Sequence, residues 1–123
     1  AIVPGIVAPL AINFVVKLLF ELEDLQTQLL EMVNRDPLTK VYSRRYLMDC
    51  LEIESARTLR SNEPMSLLIL DVDNFKSIND RYGHGNGDIV LQEIAKVCES
   101  TLRSHDVIAR FGGEEFVVLL LNT

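Results

Sequence analysis

Residues Met65 to Val72 read Met-Ser-Leu-Leu-Ile-Leu-Asp-Val, an almost uninterrupted apolar run of eight. That length suits a strand better than a helix, and a turn, Ser61-Asn62-Glu63-Pro64, leads into it. A strand apolar on both faces is normally covered on both, so the run predicts a buried central strand. The chain must then supply a sheet around it. Val107 to Phe111 and Glu115 to Leu121 read as two further strands. Between them Gly112-Gly113-Glu114 predicts a tight hairpin, with the glycines expected to take positive φ. A helix is expected from Arg44 to Arg60, capped by Ser43, with Leu47, Cys50, Leu51, Ile53 and Leu59 inward. Gly83, Gly85 and Gly87 mark a loop. A second helix follows it, with Ile89, Val90, Ile94, Val97, Cys98 and Leu102 inward.

The N-terminal third is of another kind. Ala1 to Val16 carries no charge and one polar side chain, Asn13, before Lys17 breaks the run. Residues 1–17 read as the end of a transmembrane helix in a chain that begins upstream, since spanning takes about twenty apolar residues. Pro4, Gly5 and Pro9 are tolerated better in membrane helices than in soluble ones. Next, Val15, Leu18, Leu22, Leu25, Leu29 and Met32 alternate in steps of three and four, an a/d seam with acidic and amide residues between. Residues 18–35 are therefore expected to form a parallel coiled-coil stalk that pairs two copies into a homodimer. Asn34-Arg35-Asp36-Pro37 ends that helix, because proline disfavours helical geometry in the residue before it.

Charge narrows the function. The formal net charge of −6 argues against a nucleic-acid-binding face, since phosphate backbones attract basic stripes. A nucleotide substrate stays possible where a metal offsets carboxylates. Cys50 and Cys98 lie far apart among apolar neighbours, which predicts reduced core thiols. Asp71 and Asp73 close the apolar run, and residues i and i+2 of a strand share a face. If the hairpin lies beside that strand, Glu114 or Glu115 faces Asp71. Such hard oxygen ligands suit Mg²⁺ or Mn²⁺ held with substrate phosphates. By spacing alone, the same residues also fit a solvated strand end.

The motifs add a resemblance. Asp71-Val72-Asp73-Asn74-Phe75-Lys76-Ser77-Ile78-Asn79-Asp80-Arg81-Tyr82-Gly83-His84-Gly85-Asn86-Gly87-Asp88 resembles the substrate-binding signature of GGDEF-domain diguanylate cyclases. Arg110-Phe111-Gly112-Gly113-Glu114-Glu115-Phe116 resembles the family's name-giving hairpin in its GGEEF form. Asp36-Pro37-Leu38-Thr39 with Arg44-Arg45 resembles its opening motif, departing at Lys40, Val41 and Ser43, where glycine, leucine and asparagine are common.

The resemblance implies roles. Asp71, the Val72 carbonyl and Glu114, with Glu115 beside them, would ligate Mg²⁺ or Mn²⁺, and Glu114 would activate the attacking hydroxyl. Asn79 and Asp88 would read the guanine edge, and a site built on such hydrogen bonds rejects bases lacking them. Lys76 and Arg110 would hold phosphates, the N–H groups near Phe75 and Lys76 would cradle the terminal phosphates, and His84 would shape the loop. Arg103-Ser104-His105-Asp106 fits the family's RxxD product-inhibition site. The partners implied are GTP as substrate and cyclic di-GMP as product and feedback inhibitor, with no nucleic acid.

The fold expected is α+β, a ferredoxin-like nucleotide-cyclase palm with an antiparallel sheet and helices on one face. Residues 36–123 would form a partial GGDEF domain, truncated after the GGEEF hairpin and preceded by a long N-terminal helix. The implied protein is a diguanylate cyclase at the inner cell membrane with a cytoplasmic catalytic domain, the fragment itself being inactive. The rival reading is an inactive GGDEF module that binds GTP or cyclic di-GMP to signal. The intact Asp71, Lys76, Asn79, Asp88, Glu114 and Glu115 speak against it. Another palm-type nucleotidyl enzyme is disfavoured by Asn79 and Asp88.

Overall fold

The computed structural model describes residues 4–123; the first three residues of the expected membrane segment lie outside them. The chain divides into two units, one ending at Met32 and the other comprising Val33–Thr123.

The first unit is formed by helix α1, which runs Pro4–Asn34, two residues past the boundary, and ends where Pro37 predicts. Its 31 residues rise about 46 Å at 1.5 Å each. The helix is long and apolar enough to cross a membrane. The seam residues Val15, Leu18, Leu22, Leu25, Leu29 and Met32 are all exposed on the single chain.

The second unit holds a four-stranded sheet in the order β1-β3-β4-β2. The strands are β1 (Tyr42–Ser43), β2 (Met65–Asp71), β3 (Val107–Arg110) and β4 (Glu115–Leu121). β1 runs parallel to β3, and β4 is antiparallel to both β3 and β2. The sheet is thus mixed rather than antiparallel throughout. Helices are α2 (Arg44–Ser61), α3 (Phe75–Tyr82) and α4 (His84–Thr101). Ser43 caps α2 as expected, its hydroxyl accepting from the Tyr46 N–H at 3.3 Å.

Alternation along β3 and β4 separates two cores. Ile108, Phe116 and Val118 pack with Phe75, Leu91 and Ala95. Val107, Ala109, Val117 and Leu119 pack with Leu47 of α2. Helices therefore cover both faces of the sheet, not one. Among these four strands β4 is paired on both sides, while β2, expected to be central, pairs with β4 alone, and its Leu67, Leu68, Ile69 and Leu70 are exposed in this chain.

Helix faces also depart from expectation. In α2 the inward stripe continues from Leu47, Cys50 and Leu51 to half-buried Glu54 and Thr58, leaving Ile53 and Leu59 exposed. In α4 Gly87, Leu91 and Ala95 face inward at i, i+4, i+8, while Ile89 and Val97 are exposed. The expected glycine loop is mostly helix, because α4 begins at His84. Only Gly83, at φ 87°, interrupts the chain between α3 and α4. Cys50 and Cys98 are free, half-buried thiols, and burial raises the Cys50 pKa.

Candidate active site

Register decides where the acidic residues meet. β2 and β4 pair from Met65↔Leu121 to Asp71↔Glu115, so the last residue of one strand opposes the first of the other. Just beyond, the Val72 N–H donates to the Glu114 carbonyl at 3.2 Å. Asp71, Val72, Glu114 and Glu115 thus gather at one corner of the sheet. Asp73 does not extend β2, which stops at Asp71, so the shared strand face expected for Asp71 and Asp73 is not formed. Among the described residues no three acidic, His or Cys side chains converge tightly enough to hold a metal. The donor set nonetheless fits a hard cation. Two carboxylates opposed across a ladder repel each other, and a bound cation reverses the sign of that term.

The hairpin is shaped differently from its sequence expectation. Gly112 and Gly113 do not adopt positive φ. The turn closes through the Phe111 N–H on the Glu115 carbonyl, 2.8 Å, and through Arg110. The Arg110 guanidinium donates to the Gly113 carbonyl from Nη2 at 2.7 Å and from Nε at 3.1 Å. Its Nη1 reaches Asp36 Oδ2 at 3.3 Å. Asp36 in turn accepts from the Thr39 N–H at 2.9 Å and the Thr39 hydroxyl at 2.8 Å. Burial alone would raise the Asp36 pKa, but the Thr39 donors and Arg110 outweigh it and hold the carboxyl below its usual range. Sequence reasoning gave Asp36 no role beyond a motif. The signal was an aspartate followed three residues later by threonine, which closes a turn on its own backbone.

α3 and α4 carry the nucleotide residues. Phe75 is buried in the core, so only its backbone is available to a ligand. It opens α3, whose first N–H groups have no intrahelical partner, and exposed Lys76 follows. Asn79 is half-buried on α3 and lies against Gly87 of α4, directly before exposed Asp88. His84 is the exposed first residue of α4. A cleft of about 540 Å³ beside α4, lined by Leu38, Lys40, Gln92 and Lys96 among others, includes none of the predicted site residues.

Arg103 and Asp106 meet at the far end of the sheet. Arg103 Nε lies 3.2 Å from Asp106 Oδ2, and its Nη2 donates to the Leu121 carbonyl at 3.0 Å. The Asp106 side chain is 1% exposed and accepts from the N–H groups of Arg103 and Leu121. These bonds outweigh desolvation and lower its pKa. The pair closes the β3–β4 end opposite the hairpin.

Known proteins resemble this chain in sequence and fold. A family profile described as "Diguanylate cyclase, GGDEF domain" matches residues 33–123. The chain belongs to the GGDEF family. Diguanylate cyclase A of Treponema denticola is 46% identical over 101 residues, covering 79% of this chain and 27% of that protein. A diguanylate cyclase of Vibrio cholerae is 41% identical over 103 residues, 84% of this chain and 32% of that protein. The chain therefore spans about a third or less of these relatives' length. Among solved structures, the coiled coil and GGDEF domain of DgcB from Caulobacter crescentus, in complex with c-di-GMP, superposes with a TM-score of 0.85. It is 27% identical, over 97% of this chain and 61% of that one. Diguanylate cyclase SiaD of Pseudomonas aeruginosa, in complex with its activator SiaC, gives 0.76 at 41% identity, over 94% and 45%. The α+β palm of this GGDEF unit and the helix before it are thus shared with solved relatives.

Proposed function

We propose that the protein containing this chain is a diguanylate cyclase that condenses two GTP molecules into cyclic di-GMP and releases pyrophosphate. The observation that carries the reading is the register of the GGEEF hairpin, which sets Glu115 across from Asp71 and Glu114 beside Val72. In each of two transfers a 3′-hydroxyl of one GTP attacks the α-phosphorus of the other. A P–O bond to that hydroxyl forms, the bond to the pyrophosphate breaks, and Glu114 takes the hydroxyl proton. Asp71, the Val72 carbonyl, Glu114 and Glu115 would hold Mg²⁺ or Mn²⁺. The metal, when bound, supplies charge stabilisation at the phosphates. Lys76 and the opening N–H groups of α3 bind the terminal phosphates. Asn79 and Asp88 read the guanine edge, with His84 shaping the approach to α4. Arg110 would hold phosphate and offset charge at the transferring phosphorus, and its bonds to Asp36 and the Gly113 carbonyl fix it beside the hairpin.

One domain holds one GTP, so two must face each other, and homodimerisation becomes part of the mechanism through proximity. The exposed Val15–Met32 seam is the surface for that pairing. The apolar helix anchors the protein at the inner membrane, with the GGDEF unit in the cytoplasm. Cyclic di-GMP, the product, would act back on Arg103 and Asp106. The inactive-module alternative lacks support, because the motif residues from Asp71 to Glu115 are intact. The test is the full-length protein incubated with Mg²⁺ and GTP, with products separated by mass. Wild type should yield cyclic di-GMP, and a folded Glu114→Gln variant none. Near-normal turnover by that variant would remove Glu114 from the chemistry.

A further inference from the structure

Gly87 stands where α4 passes close against α3. Its φ is not positive, so the backbone does not require glycine. The space does. A Cβ on Gly87 would overlap Oδ1 of Asn79, and would stand 2.9 Å from Asn79 Cγ and 3.3 Å from Phe75 Cζ. Phe75 belongs to the packed core and has little room to yield. The neighbouring glycines differ: a Cβ on Gly83 or Gly85 would meet nothing within 4 Å. The Asn79 carboxamide therefore occupies the volume that any other residue at 87 would fill, immediately before Asp88 in the chain.

We propose that Gly87 is a positioning residue for base specificity. By lacking a side chain it lets the Asn79 carboxamide lie against α4 and sets it beside Asp88 as a pair. The inference rests on the reading of Asn79 and Asp88 as the guanine-recognising groups. An added methyl forces the carboxamide out of place and leaves Asp88 to bind the base alone. Alanine is the better helix former, so a loss in Gly87→Ala runs against local propensity. Because base contacts hold the ground state and the transition state alike, the loss falls on KM more than on kcat.

The experiment compares full-length wild type with Gly87→Ala, Asn79→Ala and the double variant, measuring KM and kcat for GTP with Mg²⁺. Gly87→Ala should raise KM about tenfold or more with a smaller change in kcat, the size expected for losing a base-reading hydrogen bond. In the Asn79→Ala background, where the volume has been vacated, the same change should add little, as expected of two residues acting through one contact. A wild-type KM in Gly87→Ala beside a raised KM in Asn79→Ala overturns the positioning role and leaves the guanine pocket standing. A wild-type KM in Asn79→Ala overturns the pocket reading and this inference with it. Independent, additive losses also overturn it. If Gly87→Ala alone fails to fold, folding of the double variant supports the steric link, and failure of both overturns it.

Discussion

Asp71, the last residue of β2, stands directly across from Glu115, the first residue of β4. Both are exposed, and both side chains leave the sheet on the same face. This pairing concentrates negative charge at the end of the β2–β4 ladder, next to the hairpin.

Removing one of the two charges should therefore separate stability from activity. Asp71→Asn is expected to keep or raise metal-free stability, by up to about 1 kcal/mol for relief of a like-charge cross-strand pair. Product formation should be lost, and so should the gain in Tm that Mg²⁺ gives wild type, because a cation bound only to the folded state stabilises it by mass action. Thermal unfolding of both proteins with and without Mg²⁺ is the measurement. Equal Mg²⁺-induced shifts would place the cation elsewhere.

Acid should loosen the fold through Asp36 and Asp106. Both carboxyls have folded-state pKa values below the ordinary one, held there against desolvation by the Thr39 and Arg110 contacts and by the Arg103 and Leu121 contacts. A depressed carboxylate stabilises the fold fully above its unfolded pKa of about 3.9, and the contribution fades as pH falls through the folded value. Stability should drop below about pH 4, and an Asp36→Asn, Asp106→Asn double variant should show a flatter acid limb. Urea midpoints from pH 7 to 3 test this, and parallel curves for the two proteins would exclude these groups.

Lys40 sits at φ 64° in the turn between α1 and β1, where the family's opening motif commonly has glycine. A left-handed lysine carries backbone strain of about 1 kcal/mol that glycine avoids, partly offset by glycine's greater freedom when unfolded. Lys40→Gly should raise stability by about 0.5 kcal/mol with unchanged kcat. A lower denaturation midpoint in that variant would show that the Lys40 side chain contributes more than its backbone costs.

Arg103 has two readings that one comparison separates. Its bonds to Asp106 and the Leu121 carbonyl tie the ends of β3 and β4 together. Removing hydrogen bonds to a buried carboxylate should cost about 1–3 kcal/mol in Arg103→Ala. If the pair also binds product, inhibition by added cyclic di-GMP should be relieved in the same variant while its initial rate holds. Initial rates against product concentration, at matched folded fraction, decide the matter. Unchanged inhibition would leave Arg103 as a strand clamp.

The sequence by itself determined what depends on near neighbours. The cap at Ser43, the helix that follows, the end of α1 at Asn34 and the strands flanking the hairpin were all legible, because capping, proline and periodicity act within a few residues. The motif residues were equally legible as a set. Tertiary structure decided that β4 lies between β2 and β3, since the apolar runs of β2 and β4 look alike and only pairing gives their order. It also decided that Ile53, Leu59, Ile89 and Val97 face out, because an apolar side chain is buried only where another element covers it. It turned most of the glycine loop into α4, whose packing against α3 outweighs the low helix propensity of Gly85 and Gly87. And it brought Arg110 to Asp36 across 74 residues of chain, a contact set by the closing of β1 on β3. Local signals fix elements because their energies are local; sheet order and ion pairs arise from surfaces that meet only once those elements pack.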